Sequence, residues 1–167
     1  SIAAASVTNQ FEAKPEFNPN YSKVTGLTTN QKGATVNAYD GIAIGSGAVS
    51  GGTGSGGNAH IAIGLMSQAT GGGANGTNAA VALGAYSLAV GQGTTAIGAH
   101  AYADGFNSVS LGKIAKANSD GATALGTNTT ANWQGTAIGN SAQATYNYAI
   151  SVGVNSKSSS HSSTAVG

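Results

Sequence analysis

The side chains best suited to chemistry in this chain are three histidines, His60, His100 and His161. A metal site needs several such ligands brought to one point. These three stand at different phases of the sequence pattern, so no cluster is predicted, and solvent-facing or turn positions are expected for them. Asp104 and Asp120 sit in turn-like stretches, where the carboxylate bonds local backbone. A catalytic carboxylate pair is not expected from them. Gly52, Gly54 and Gly57 reproduce the glycine spacing of a dinucleotide loop. That loop works only between a strand and a helix N-terminus. Here Asn58-Ala59-His60 and another strand-like segment follow, so a flexible loop is predicted. With no cysteine and no Gly-x-Ser-x-Gly element, thiolate and serine-nucleophile chemistry are both missing. No enzyme activity, cofactor or metal is expected.

Composition narrows the class further. The chain has 167 residues, 27 glycines, six lysines, no arginine and five acidic residues, with a net charge of +1. Such a charge provides no basic field for nucleic acid. Gly, Ser, Thr and Asn recur throughout and disfavour helix. No run approaches the ~18 apolar residues of a membrane span. No charged segment followed by an apolar core opens the sequence, so no signal peptide is expected.

What must position any functional side chain is a repeat. Ile42-Ala43-Ile44-Gly45 returns as Ile61-Ala62-Ile63-Gly64, Val81-Ala82-Leu83-Gly84, Thr95-Ala96-Ile97-Gly98 and Val109-Ser110-Leu111-Gly112. It continues as Thr123-Ala124-Leu125-Gly126, Thr136-Ala137-Ile138-Gly139, Ile150-Ser151-Val152-Gly153 and Thr164-Ala165-Val166-Gly167. From Gly84 the glycines are 14 residues apart, with one 13-residue step from Gly126 to Gly139. A beat this short predicts an all-β solenoid of stacked coils. The first two intervals, 19 and 20 residues, hold glycine-rich inserts at 51–57 and 71–77, which belong in turns. Residues 1–40 lack the repeat and are expected to cap the roll or link it to another domain. Residues 41–167 form the roll.

Positions +3 and +5 from each motif glycine are small, as in Ala101 and Ala103 or Ala115 and Ala117. Each coil therefore reads as strand, turn, strand, turn. Parallel stacking at ~4.8 Å per coil gives a rod on the order of 40 Å long. The motif strand is apolar on both faces. Its bulky set (−3 and −1) is expected to fill the interior, leaving the Ala/Gly set for close approach of a neighbouring subunit. The reverse assignment has the same parity and stays open. Either way, a flat apolar face along the rod predicts an oligomer. Tyr86 and His100 at +2, Tyr102 at +4, and Trp133 and Tyr146 at +7 are candidate ligand-facing residues, because exposed aromatics anchor protein partners.

Motif, spacing and small +3/+5 residues together resemble the head domain of the trimeric autotransporter adhesins, the YadA-like heads. Ala80-Val81-Ala82-Leu83-Gly84, Asn107-Ser108-Val109-Ser110-Leu111-Gly112 and Gly135-Thr136-Ala137-Ile138-Gly139 carry the resemblance most closely. It implies a left-handed parallel β-roll, a homotrimer, and display on a Gram-negative cell surface. It also implies adhesion to host extracellular matrix proteins, cells or surfaces. No neck, heptad stalk or anchor is present, so the chain is expected to be a soluble fragment whose membrane link lies elsewhere. The alternative is a monomeric solenoid that binds ice or polysaccharide through a threonine rank at Thr95, Thr123, Thr136 and Thr164.

Overall fold

The computed structural model describes residues 33–37, 41–51, 59–71 and 79–167, and the backbone of 24–25. Most of both glycine-rich inserts and most of 1–40 lie outside the described residues. Every element described is a short strand. The nine motif segments, from Ile42–Ile44 to Thr164–Val166, are three-residue strands. The return segments, such as Tyr102–Ala103 and Lys116–Ala117, are two-residue strands.

Motif strands stack into a ten-stranded sheet and return strands into a nine-stranded sheet. All pairing is parallel, and neighbours are always consecutive coils. The chain is thus an all-β solenoid whose coils contact only the coils above and below. Register is strict. Ala82 pairs with Ala96, Ala96 with Ser110, and Ser110 with Ala124, so each motif position forms one column along the rod. Rungs are named below by their motif glycine. Strands Val24–Thr25 and Thr35–Val36, inside the stretch read as a cap, pair with Ile42–Ile44 and Val49–Ser50. Parallel pairing therefore starts upstream of residue 41.

The two faces of the motif strand are reversed from the favoured expectation. The alanine or serine at −2 is fully buried, from Ala43 to Ser151, and the bulky residues at −3 and −1 point outward. Leu83 and Leu111 each remain 40% exposed. The cause lies in the corners. After each motif glycine a tight turn returns the chain, closed by bonds such as Ala101 N–H to Gly98 O (3.1 Å) and Ala48 N–H to Gly45 O (3.1 Å). Two sheets joined by so short a corner leave a narrow interior. Among the described residues the four inward columns (−4, −2, +3 and +5) hold almost only Ala, Ser, Thr and Gly, with His60 at −4 and Val36, paired with Ser50 in the +5 column, the larger exceptions.

Most inward hydroxyls are used rather than stranded, as buried polar groups usually are; Ser108 Oγ, in the −4 column, has no partner among the described residues. Ser67, Ser87, Thr129 and Ser156 at +3 donate back to their own motif glycine carbonyls at 2.9–3.0 Å. Ser110 Oγ donates to Ala115 O at 2.7 Å, across the interior. The 13-residue step is absorbed in one corner. There Gly135 takes the inward position that Ala122 and Ala149 fill on adjacent rungs, and its N–H donates to Asn132 O at 2.6 Å. A Cβ on Gly135 would lie 2.5 Å from that carbonyl, which explains the glycine.

Candidate functional site

Small residues fill the interior of the described coils, so the larger polar and aromatic side chains described, His60 excepted, lie on the surface. The solenoid offers four strips: the outer face of each sheet, and the two edges where the chain crosses between sheets. One edge lies beyond the C-terminal ends of the motif strands (+1, +2), the other before their N-terminal ends (−6, −5).

Both edges are built on left-handed backbone. At +2, Met66, Tyr86, His100, Ile114, Asn128, Ser141 and Asn155 all have φ of 53–59°. At −5, Asn107, Gln134, Tyr148 and Ser162 have φ of 52–57°. Left-handed backbone is uncommon for a non-glycine residue, and most of all for a β-branched one such as Ile114. The ladder compensates, because each of these N–H groups bonds the rung below. His100 N–H donates to Ala85 O (2.9 Å), Ile114 N–H to Ala99 O (3.0 Å) and Tyr148 N–H to Trp133 O (3.0 Å). The edges therefore hold their side chains at fixed heights along the rod.

The five aromatic candidates fall on three of these strips. Tyr86 and His100 occupy the C-terminal edge on consecutive rungs, with rings stacked 5.0 Å apart at an interplanar angle of 4°. Tyr102 lies on the outer face of the second sheet. Its phenol is pushed above the ordinary tyrosine value by burial first, then by a hydrogen bond to Asp104 and that residue's negative charge. It stays a neutral donor at physiological pH. Trp133 and Tyr146 project from the N-terminal edge. The structure does not gather the five into one site.

Further exposed side chains share these strips without having been singled out in the sequence: Leu65 and Met66 on one edge, Phe106 and Tyr148 on the other. Tyr148 meets His161 edge-on at 5.4 Å. Counting back from the next motif glycine, rather than forward from the last, would have put Phe106, Trp133 and Tyr148 in one corner.

On the outer face of the second sheet, an amide chain runs from Asn118 Nδ2 to Asn132 Oδ1 (2.9 Å) and from Asn132 Nδ2 to Thr145 O (3.2 Å). On the outer face of the first, Thr95, Thr123, Thr136 and Thr164 share a column with Val109 and Ile150. Only Thr123 and Thr136 are neighbours, so the threonine rank is broken by aliphatics. Among the described residues no group of three His, Cys, Asp or Glu side chains could hold a metal ion. Asp120 is a turn residue, its Oδ1 accepting from Phe106 N–H at 2.8 Å.

His60 corrects an expectation. It is fully buried, in the inward −4 column, and neither solvent-facing nor in a turn. Its Nδ1 accepts from Ala80 N–H at 3.1 Å, so the ring proton belongs on Nε2, which has no partner among the described residues. Burial lowers its pKa from 6.5. Protonating Nδ1 would set an N–H against the Ala80 N–H. The unfolded chain takes up a proton below about pH 6.5 that the folded chain resists. The stabilising contribution is therefore complete above that pH and is lost as pH falls through the lower, folded value. Stability should decline by at most about 1.4 kcal/mol per pH unit over that window. Thermal melts at pH 7.5 and 5.0 check this, with a shallower decline expected in His60→Ala. Identical pH profiles for the two proteins would remove His60 as the cause.

Parallel coils in two stacked sheets, with small side chains and His60 between them among the described residues, define a solenoid scaffold. Residues 74–101, 103–129 and 147–167 match the family model for the YadA head domain repeat (2 copies). The chain carries a YadA-like head domain, the head type of the trimeric autotransporter adhesins, which are surface-exposed proteins. No curated protein matches the chain.

Proposed function

We propose that this domain is a non-enzymatic adhesion head that works as a homotrimer, with the outer faces of the three first sheets turned to a common axis. The observation that carries this reading is the unpartnered aliphatic ladder. Ile63, Leu83, Ile97, Leu111, Leu125 and Ile138 stand in one outward column, each paired in register with the next. A contiguous apolar strip of that length is uncommon on a lone soluble chain and marks an interaction surface. Closed rotational symmetry buries it on every copy at once. The second sheet then faces outward, with Tyr102, Lys116 and the amide chain projecting from it. Host extracellular matrix proteins, cells or surfaces are the partners, met from the bacterial surface. Three copies per head, and many heads per cell, turn weak contacts into firm attachment.

Light scattering tests the assembly. The mass should be three times that of the chain. Leu111→Glu should reduce it to a monomer with unchanged circular dichroism, because that side chain lies outside the roll. A panel of collagens, fibronectin, laminin and bare surfaces, probed with the trimer, tests adhesion. Binding to none of them, or turnover of a general hydrolase substrate, would overturn the reading. Thermal hysteresis would instead favour the ice-binding alternative.

A further inference from the structure

The two edges of the roll carry opposite patterns of bulk. On the Gly64, Gly84 and Gly98 rungs the C-terminal edge is large at +2 (Met66, Tyr86 and His100) and the N-terminal edge is small at −5 (Ala59, Ala79 and Gly93). On the Gly139 and Gly153 rungs the pattern reverses. There the N-terminal edge carries Trp133 and Tyr148, while the C-terminal edge offers Ser141 and Asn155 at +2. The Gly112 rung, at the changeover, has Phe106 on one edge and Ile114 on the other. Large members are well exposed in a lone chain: Met66 43%, Tyr86 49%, Trp133 56% and Tyr148 51%.

We infer that these edges form the seams between subunits, the large edge seating against the small edge of the same rung in the next copy on the Gly64, Gly84, Gly98, Gly139 and Gly153 rungs, with Phe106 meeting Ile114 on the Gly112 rung. The inference rests on the trimer proposed above. Three copies related by a threefold axis along the rod stand at equal height, so each rung of one chain meets the same rung of its neighbour. Because the first sheets face the axis, the edge at the C-terminal ends of one sheet adjoins the edge at the N-terminal ends of the next. At the Gly84 rung, Tyr86 of one copy then faces Ala79 of the neighbouring copy. At the Gly153 rung, Tyr148 faces Asn155, whose amide suits a phenol hydroxyl.

Equal height and unequal size also fix axial register. Sliding one chain by three or four rungs would bring large edges onto large edges, as with Tyr86 against Trp133. The smooth aliphatic ladder at the axis has nearly the same residue on every rung and resists such slippage poorly. The edges thus supply alignment that the central face lacks. They also assign Tyr86, His100 and Trp133 to contacts between copies, leaving ligand to the outer face of the second sheet.

The chain has no cysteine and a single tryptophan, which makes the test direct. Ala79→Cys combined with Tyr86→Cys places thiols on one rung but on opposite edges. Within a chain they are on the order of 20 Å apart along the strand, beyond disulfide reach. Oxidation should give covalent trimers on a non-reducing gel. Each single variant should give none, as should Ala79→Cys with Asn128→Cys, whose thiols lie about 14 Å apart in height. Acrylamide quenching of Trp133 should fall about threefold in the trimer relative to monomeric Leu111→Glu, because a seam excludes water. Trimeric mass without same-rung cross-links, and with Trp133 as quenchable as in the monomer, would overturn the seam and leave the adhesion head intact. A monomeric mass for the unaltered chain would overturn both.

Discussion

Gly84→Ala is expected to destabilise the domain by about 3 kcal/mol or more, read as a large fall in melting temperature. Gly84 has φ of +130°, a conformation that side chains other than glycine strongly avoid. A Cβ there would stand 2.7 Å from both the carbonyl carbon and the carbonyl oxygen of Gly98. These are backbone atoms held by the ladder, since Gly98 N–H donates to Leu83 O at 2.8 Å. Relief therefore requires the rungs to part, and the cost combines backbone strain with lost hydrogen bonds. Gly121 provides a contrast. Its φ is +63°, and its would-be Cβ meets nothing nearer than the Gln134 side chain at 3.2 Å. Gly121→Ala should therefore cost clearly less. Equal effects at the two positions would mean that the contact between rungs at Gly84 does not set the requirement.

Ala124→Leu is the second large effect, a loss of about 3 kcal/mol from overpacking. Ala124 is fully buried in the inward column, between Ser110 and Ala137 on adjacent rungs. Extra methylenes have nowhere to go unless the two sheets separate, and the short corners resist that. The contrasting change is Leu125→Ala, one residue along. It removes an outward side chain, so the folded chain should keep most of its stability while assembly weakens. Chemical denaturation at fixed protein concentration, alongside light scattering, separates these effects. Tolerance of leucine at Ala124 would show that the interior is wider than its alanines indicate.

Much of the architecture was legible because it is periodic. The motif glycines gave the coil, and the small +3 and +5 residues gave a second strand with one inward face. Parity could not say which face of the motif strand is inward. The favoured assignment put the bulky aliphatics inside, as burial usually does. It failed because room, more than hydrophobicity, limits what fits: a corner closed within three residues of the glycine admits nothing larger than Ala, Ser or Thr in most places. His60 shares parity with the inward alanine two residues later, so its burial could have been read from the same alternation. Tyr86 and Trp133 sit within corners, where left-handed residues interrupt alternation, and offset counting loses its meaning there.

The ladders have a mechanical consequence. Every hydrogen bond between rungs points along the rod, from the Gly98–Leu83 pairing to the edge bond between Tyr148 and Trp133. A pull on the head along its length therefore loads those bonds end-on and passes through each coil in turn. The rungs act as links in series, and the weakest of them sets the tension the head can carry. In the proposed trimer, chains joined side by side would share that load, so attachment under flow would draw its strength from the bundle and not from any one roll.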